Sequence, residues 1–442
     1  MKLKSEQNSQ PLSLRRNFSW TFFGNLVYAG CQWGMLVVIA KLGTPEMVGK
    51  FTLGLAVTAP IVLFSNLQLR VVQATDAKQQ YQFGDYLALR LITNLLALLG
   101  VMGITFAGGY QGETALVILI IGLAKVIESV SDIFYGLLQH HERMDRIAIS
   151  MMLKGVLSLT NLSTLIYATD STVWGVIGLT IAWALVLIIY DIPSSSKLFG
   201  RMTSQVDVSG TNEIIKEPPR TLKPRWHRKT LIQLAWVALP LGLVMMFISL
   251  QSNIPRYLIE RYLGQRQLGI FAAMAYIQIA GNTIVSALGQ SASPRLAKYY
   301  VVANYQAFRS LLLKLVGIGV ILGGTSVLIT VFAGRQLLTL IYQAEYAERL
   351  DIFIWLMISA GIGYIASFLG YGITSAQYFR IQLPLFISVA LAIAITSFWL
   401  IPAYGLQGAA LVLLIGAIVQ ILGSVVVVTH ALNKLSTQVN KV

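Results

Sequence analysis

Charge is scarce in this sequence. Only 12% of its 442 residues are Asp, Glu, Lys or Arg, against about 25% in a soluble globular domain. That is too few to cover a water-facing surface of this size, which excludes an ordinary soluble enzyme or binding module. Cysteine is scarcer still. Cys31 is the only one, so no disulfide and no cysteine-based metal site can form within the chain. The four histidines (His140, His141, His227 and His430) fall outside the apolar centres. The His140-His141 doublet reads as a polar helix end, with a metal role as the lesser alternative, and neither a metal nor a cofactor is expected. Acidic residues number 18 against 33 basic ones, a net charge of +15. The basic residues are scattered through short connecting stretches and form no continuous stripe with aromatics, which excludes a nucleic-acid partner.

Apolar side chains are what the sequence has in abundance: 56% of residues are hydrophobic and the mean hydropathy is +0.69. A bilayer core of about 30 Å takes about 20 helical residues to cross. Twelve stretches reach that length, near 18–40, 47–69, 84–108, 113–139, 146–168, 172–192, 231–253, 267–290, 307–333, 350–376, 381–401 and 406–430. The fold class is therefore an all-α integral membrane protein, with twelve transmembrane helices in two six-helix lobes. The basic N-terminus (Lys2, Lys4, Arg15, Arg16) superficially resembles a signal peptide. However, the apolar run from Phe18 continues to Ala40 with no cleavage pattern after a short core, so it reads as a retained first helix.

Lys and Arg set the orientation. With the N-terminus cytoplasmic and sides alternating, 25 basic residues fall inside, and 7 outside (Lys41, Lys50, Arg256, Arg261, Arg266, Arg335, Arg349). Lys125 lies within a span. Both termini are thus expected in the cytoplasm, with the chain a multi-pass protein of the bacterial inner membrane. The longest polar stretch, 193–230, has too little apolar content to fold alone and separates a lobe at 1–192 from one at 231–442. Its basic residues fit topology, or alternatively contact with anionic membrane lipids. The halves also resemble each other. Leu42-Gly43 followed by Gly49-Lys50-Phe51 recurs as Leu263-Gly264 followed by Gly269-Ile270-Phe271. Gly175-Val176-Ile177-Gly178 recurs as Gly405-Leu406-Gln407-Gly408. Six helices per half is an even number, so the repeat is parallel, with a pseudo-two-fold axis along the membrane normal.

Charges inside spans are costly and mark cavities or partners. Lys125, Glu128 and Asp132 share one face of the fourth span through spacings of three and four. They read as a cavity lining whose acids take a proton or sodium ion, or as salt bridges stitching helices together. Arg70, after the second span, and its counterpart Arg295, in Ser293-Pro294-Arg295-Leu296, suit a bidentate grip on phosphate; positive-inside anchoring places them equally well. Arg90 reads as a snorkelling residue. Asn253-Ile254-Pro255-Arg256 is expected to break the end of the seventh span, leaving Arg256 at an outer gate or at the interface. Asn25, Gln32, Gln251, Asn253, Gln278 and Asn282 suit a hydroxyl-rich cargo, or hydrogen bonds between helices.

Several stretches together resemble the Wzx-type polysaccharide flippases of the MOP superfamily. They are Asn66-Leu67-Gln68-Leu69-Arg70 with Thr75-Asp76, Tyr135-Gly136-Leu137-Leu138-Gln139 with Glu142-Arg143-Met144-Asp145-Arg146, and Asn253-Ile254-Pro255-Arg256-Tyr257 with Leu268-Gly269-Ile270-Phe271. The resemblance implies a cavity open alternately to either side and an undecaprenyl-pyrophosphate-linked oligosaccharide as cargo, moved from the cytoplasmic to the outer leaflet. It gives cargo-binding roles to Arg70, Lys125 and Arg295 and makes Glu128 and Asp132 candidates for coupling to H+ or Na+. Other polysaccharide assembly proteins are further candidate partners. The competing readings are a MATE-like exporter of small cations, which mid-span Lys125 disfavours, a membrane scaffold, and a glycan polymerase or ligase. The last would need a residue set in a substantial outer loop, where Glu260, Glu345 and Glu348 show no paired spacing.

Overall fold

The computed structural model describes residues 14–76, 80–198 and 222–439. Lys2, Lys4 and the middle of the 193–230 linker, including Pro218-Pro219, lie outside them. The described residues are helical, without strands. The helices are α1 (Leu14–Leu42), α2 (Pro45–Ser65), the short α3 (Leu69–Thr75), α4 (Phe83–Ala107), α5 (Gly112–His140), α6 (Met144–Thr169) and α7 (Thr172–Val186). A π-turn at Leu187–Asp191 carries α7 on to Leu198. Then follow α8 (Arg228–Tyr276), α9 (Gln278–Val301), α10 (Tyr305–Ile341), the short α11 (Ala344–Ala347), α12 (Leu350–Ser375) and α13 (Phe379–Val439). Ten helical segments among the described residues are long and apolar enough to cross a membrane.

Two helices contain internal breaks. Backbone dihedrals leave the helical region at Gly264 in α8 (φ 85°) and at Gly405 in α13 (φ 60°). Both are left-handed positions that only glycine adopts cheaply. The break expected at Asn253-Ile254-Pro255-Arg256 is not there: α8 runs on through Pro255 to Gly264. Proline costs a helix one donor, but in a membrane protein neighbouring side chains take up the freed carbonyls. The second apolar stretch ends earlier than expected, at Ser65, because Leu67 and Gln68 both have φ 49° and turn the chain into α3.

The chain divides into two compact units, Met1–Leu42 with Val57–Met246, and Gly43–Ala56 with Phe247–Val442. Lipid tails are as apolar as the side chains facing them, so close packing rather than a hydrophobic drive holds such helices together. In the first unit, α1 lies against α6 where Gly24 meets Ala148 and Gly155 meets Cys31. A core cluster of this unit includes Leu69, Phe83, Tyr86, Phe134, Leu231 and Leu234. In the second unit, α10 and α12 touch backbone to backbone at Gly323 and Gly361, beside a core that includes Phe308, Leu312, Tyr364 and Phe368.

The second unit also holds the repeated glycines against each other. A Cβ added at Gly49 would overlap the carbonyl oxygen of Gln265, and one added at Gly269 would overlap that of Pro45. Pro45 and Gln265 are as far apart in the chain as Gly49 and Gly269, so the two copies of the motif make reciprocal contacts. Arg266, beside this crossing, donates to Glu46 at 2.8 Å and pairs with Glu345. Gly269→Val or Gly49→Val is therefore expected to prevent recovery of folded protein. Gly30→Ala, where nothing lies within 4 Å of the added carbon, should raise stability by about 0.5–1 kcal/mol through helix propensity alone. Thermal unfolding of the purified variants measures both.

Candidate functional site

The site is built on α5. Leu116 and Leu123, two turns apart, are exposed on one face of this helix. Asp132 lies nine residues beyond Leu123, two and a half turns on and so on the opposite face, and Lys125 and Glu128 flank that direction. The apolar face meets lipid, and the charged face turns toward α1, α3, α4, α6 and α7 of the first unit.

Arg70 reaches this face because of the left-handed turn at Leu67-Gln68. The turn starts α3 as a separate helix, which lies close on α5 because residue 136 is glycine: a Cβ there would crowd Gln73 and stand 3.4 Å from the Arg70 Cα. The guanidinium donates from Nε to Gln139 Oε1 at 2.9 Å and from Nη1 to Asp132 Oδ1 at 3.2 Å, and its Cζ lies 5.4 Å from the centre of the Tyr135 ring. Asp132, Tyr135 and Gln139 are spaced three and four apart, so one helical stripe grips one arginine. Arg90 approaches Asp132 from α4, with Nη2 3.8 Å from Oδ2, and donates through Nη1 to Asn66 Oδ1. It is 0% exposed. Arg90 does not snorkel; its fork is held inside the unit, and Nε and Nη2 make no hydrogen bond.

One turn before Asp132, Glu128 accepts from Lys125 Nζ at 2.9 Å and from the Tyr28 hydroxyl of α1 at 2.6 Å. Lys125 Nζ also lies 4.9 Å from the centre of the Trp183 ring on α7. The Lys125–Glu128 and Arg70–Asp132 pairs are each between a quarter and a third exposed, so both keep an open side. Each acid is already neutralised by a neighbouring cation, an arrangement that fits either reading of this face.

A second charged group behind this face escaped the sequence reading. Lys154 of α6 and Asp191 of the π-turn form an ion pair at 3.0 Å, with both side chains almost wholly enclosed. The Lys154 ammonium also donates to Tyr135 Oη at 3.0 Å. That hydroxyl lies 2.7 Å from Ser150 Oγ, and Ser150 donates to Asp191 Oδ1. Tyr135 thus stands between Arg70 on the open side and Lys154 on the closed side. Lys154 falls inside the apolar stretch 146–168 and Asp191 at the end of the stretch 172–192, and neither has a charged neighbour three or four residues away on its own helix to draw notice. Charge in a span is the signal that would have found Lys154.

The other candidates lie in the second unit. Arg256 is partly buried and donates to Asn253 Oδ1 at 3.2 Å within α8. Arg295 is exposed on α9. Gln251 donates to Phe386 O at 3.0 Å and Gln278 to Leu356 O at 3.1 Å, so both make hydrogen bonds between helices. Among the described residues no three His, Cys, Asp or Glu side chains are arranged to hold a metal ion.

Comparison with solved structures defines the class. A MATE-family multidrug resistance transporter of the MOP superfamily, inward-facing, superposes with a TM-score of 0.69 at 15% identity, covering 93% of this chain and 94% of that one. Lipid II flippase MurJ, in an inward closed conformation, gives 0.66 at 14% identity, covering 95% and 90%. A MOP superfamily transporter from Pyrococcus furiosus gives 0.59 at 16% identity, covering 94% of each chain. The protein is a multi-pass membrane protein with the MOP transporter fold. A model of the family described as polysaccharide biosynthesis protein matches residues 14–300, and the capsular polysaccharide biosynthesis protein CapF of Staphylococcus aureus is 30% identical over 409 residues, 92% of this chain and 97% of that protein. The chain belongs to the polysaccharide biosynthesis protein family, and its fold is the one that the resemblance to Wzx-type flippases of the MOP superfamily implies.

Removing one partner of a buried pair leaves the other charged and unmatched. Asp132→Asn strands Arg90 and is expected to cost about 3 kcal/mol. Glu128→Gln leaves only the part-exposed Lys125 and should cost about 1 kcal/mol or less. Thermal unfolding of the two variants in detergent would show Asp132→Asn melting well below Glu128→Gln.

Proposed function

We propose that this protein flips an undecaprenyl-pyrophosphate-linked oligosaccharide from the cytoplasmic to the outer leaflet of the bacterial inner membrane, by alternating access and driven by a proton or sodium gradient. The observation that carries this reading is the open side of the α5 face. There Arg70 of α3 and Lys125 of α5 present cations, and each is neutralised only by a carboxylate that a stronger anion can displace. A pyrophosphate offers such an anion, and a guanidinium fork matches its geometry. Glu128 and Asp132, once released from their cations, are the carboxylates available to take up the coupling ion. Membership in the polysaccharide biosynthesis family supports a glycan as the cargo's other end. Arg256 and Arg295 are proposed as cargo contacts of the second unit.

The architecture proposed with it is twelve spans in two six-helix lobes, 1–192 and 231–442, joined by a cytoplasmic linker at 193–230, with both termini in the cytoplasm. Counting the breaks at Gly264 and Gly405 as turns divides the two longest apolar runs and brings ten segments to twelve. The reciprocal contact of Gly49 and Gly269 supports a parallel repeat. A MATE-like exporter of small cations shares the fold, but fixed cations at the open face repel such cargo. The family and the fold support a transporter rather than an enzyme.

Proteoliposomes carrying a labelled pyrophosphate-linked glycolipid in one leaflet provide the test. Wild type should move the label between leaflets, and Lys125→Ala and Glu128→Gln should lose at least about tenfold in rate while remaining folded, a loss equivalent to about 1.4 kcal/mol. No movement by wild type under either gradient would refute the cargo. Full activity in both variants would refute the site.

A further inference from the structure

Lys154 holds an unusual position for a lysine. Both it and Asp191 are 1% exposed, and enclosed charges persist only when paired and hydrogen-bonded. An ammonium has three donors. One of those of Lys154 goes to Tyr135 Oη at 3.0 Å, and Nζ also lies 3.0 Å from Asp191 Oδ2, its ion-pair partner. Ser150 Oγ completes the ring, because it donates to Asp191 and is therefore the acceptor for the Tyr135 hydroxyl. The circuit runs Lys154 to Tyr135 to Ser150 to Asp191 and closes through the ion pair.

The carboxylate is only half satisfied. Asp191 Oδ2 has no hydrogen bond and is matched by charge alone. It stands on a π-turn, where the N–H of Ile192 reaches back to Leu187 O, a feature frequent at functional sites. The other charged groups facing Lys154 are Glu128, close enough to feel its charge, and Arg70 across the Tyr135 ring. Without the ammonium, the space lies between a carboxylate and a phenol oxygen, which the Ser150 hydroxyl holds together. Hard oxygen donors around one negative charge are what a small hard cation takes.

We propose that this cluster is a monovalent-cation site whose cation is built in: the Lys154 ammonium occupies the place of a sodium-sized ion between Asp191 and Tyr135, which Ser150 ties together. The tether keeps the site permanently filled, so sodium does not bind there in the wild-type protein. Removing the side chain to Cβ frees the place and makes it a sodium site. The consequence for transport rests on the flippase reading above, whereas the binding site itself does not.

The test uses the full-length protein in detergent and compares thermal unfolding in sodium chloride and choline chloride, each at about 150 mM. An ion that binds only the folded state raises the midpoint by mass action. Lys154→Ala should melt about 3 °C or more higher in sodium than in choline, beyond any difference the wild type shows. Lys154→Met, which refills the space without a charge, and Lys154→Ala/Asp191→Asn, which removes the anion, should show no such gain. A Lys154→Ala midpoint that responds to sodium no more than the wild type overturns the proposal. So does a Lys154→Ala protein recovered folded in neither salt while the double variant folds. In proteoliposomes, Lys154→Ala should lose more of its flipping rate than the wild type does when sodium is exchanged for choline. A sodium-dependent midpoint in a protein that flips nothing, wild type included, would refute the cargo and leave the cation site standing.

Discussion

Everything distinctive in this molecule follows from the cost of a charge away from water. In the hydrocarbon core an ionised side chain must have a partner or a wet cavity, and the first unit meets that demand by pairing. Lys125 with Glu128, Arg70 and Arg90 with Asp132, and Lys154 with Asp191 account for seven charges on α3 to α7. The pairs run from open to closed across the unit. Those on the α5 face keep a side available to a ligand, whereas Lys154 and Asp191 are sealed. Tyr135 joins the two regimes, contacting Arg70 with its ring and Lys154 with its hydroxyl.

Small backbone features place these charges. The turn at Leu67-Gln68 separates α3 from α2, and the missing side chain of Gly136 lets α3 settle on α5. Without both, Arg70 would continue the α2 helix and could not meet Asp132. The π-turn does the same for Asp191. In the second unit glycine acts by contact instead, as in the crossing of Gly49 with Gln265 and of Gly269 with Pro45. Lipid offers no hydrophobic gain for bringing two helices together, so backbone approach supplies the contact.

The sequence motifs gain a physical meaning from this geometry. Asn66 through Arg70 and Tyr135 through Gln139 were singled out as separate stretches, yet they form one site: Asn66 holds Arg90, Arg70 is held by Gln139, and Tyr135 backs it. The stripe of Lys125, Glu128 and Asp132 was legible because helical periodicity fixes which residues share a face. Which groups from other helices each acid takes was not legible, since Tyr28, Arg70 and Arg90 come from α1, α3 and α4, as far as 100 residues away in the chain. Arg90 was misread for the same reason. An arginine near a predicted span end looks like an anchor until the packing shows that it points inward.

By itself the sequence determined that this protein belongs in a membrane, that its backbone is helical there, and that charge gathers on one face of α5. These follow from composition and from the period of a single helix, which are local properties. The tertiary structure decided that α8 continues past Pro255 to Gly264, that α3 turns back onto α5, and that Lys154 meets Asp191 out of reach of solvent. Each of these depends on a glycine contact, a left-handed turn or a π-turn that takes effect only once another helix is beside it, and a sequence read one helix at a time does not contain that neighbour.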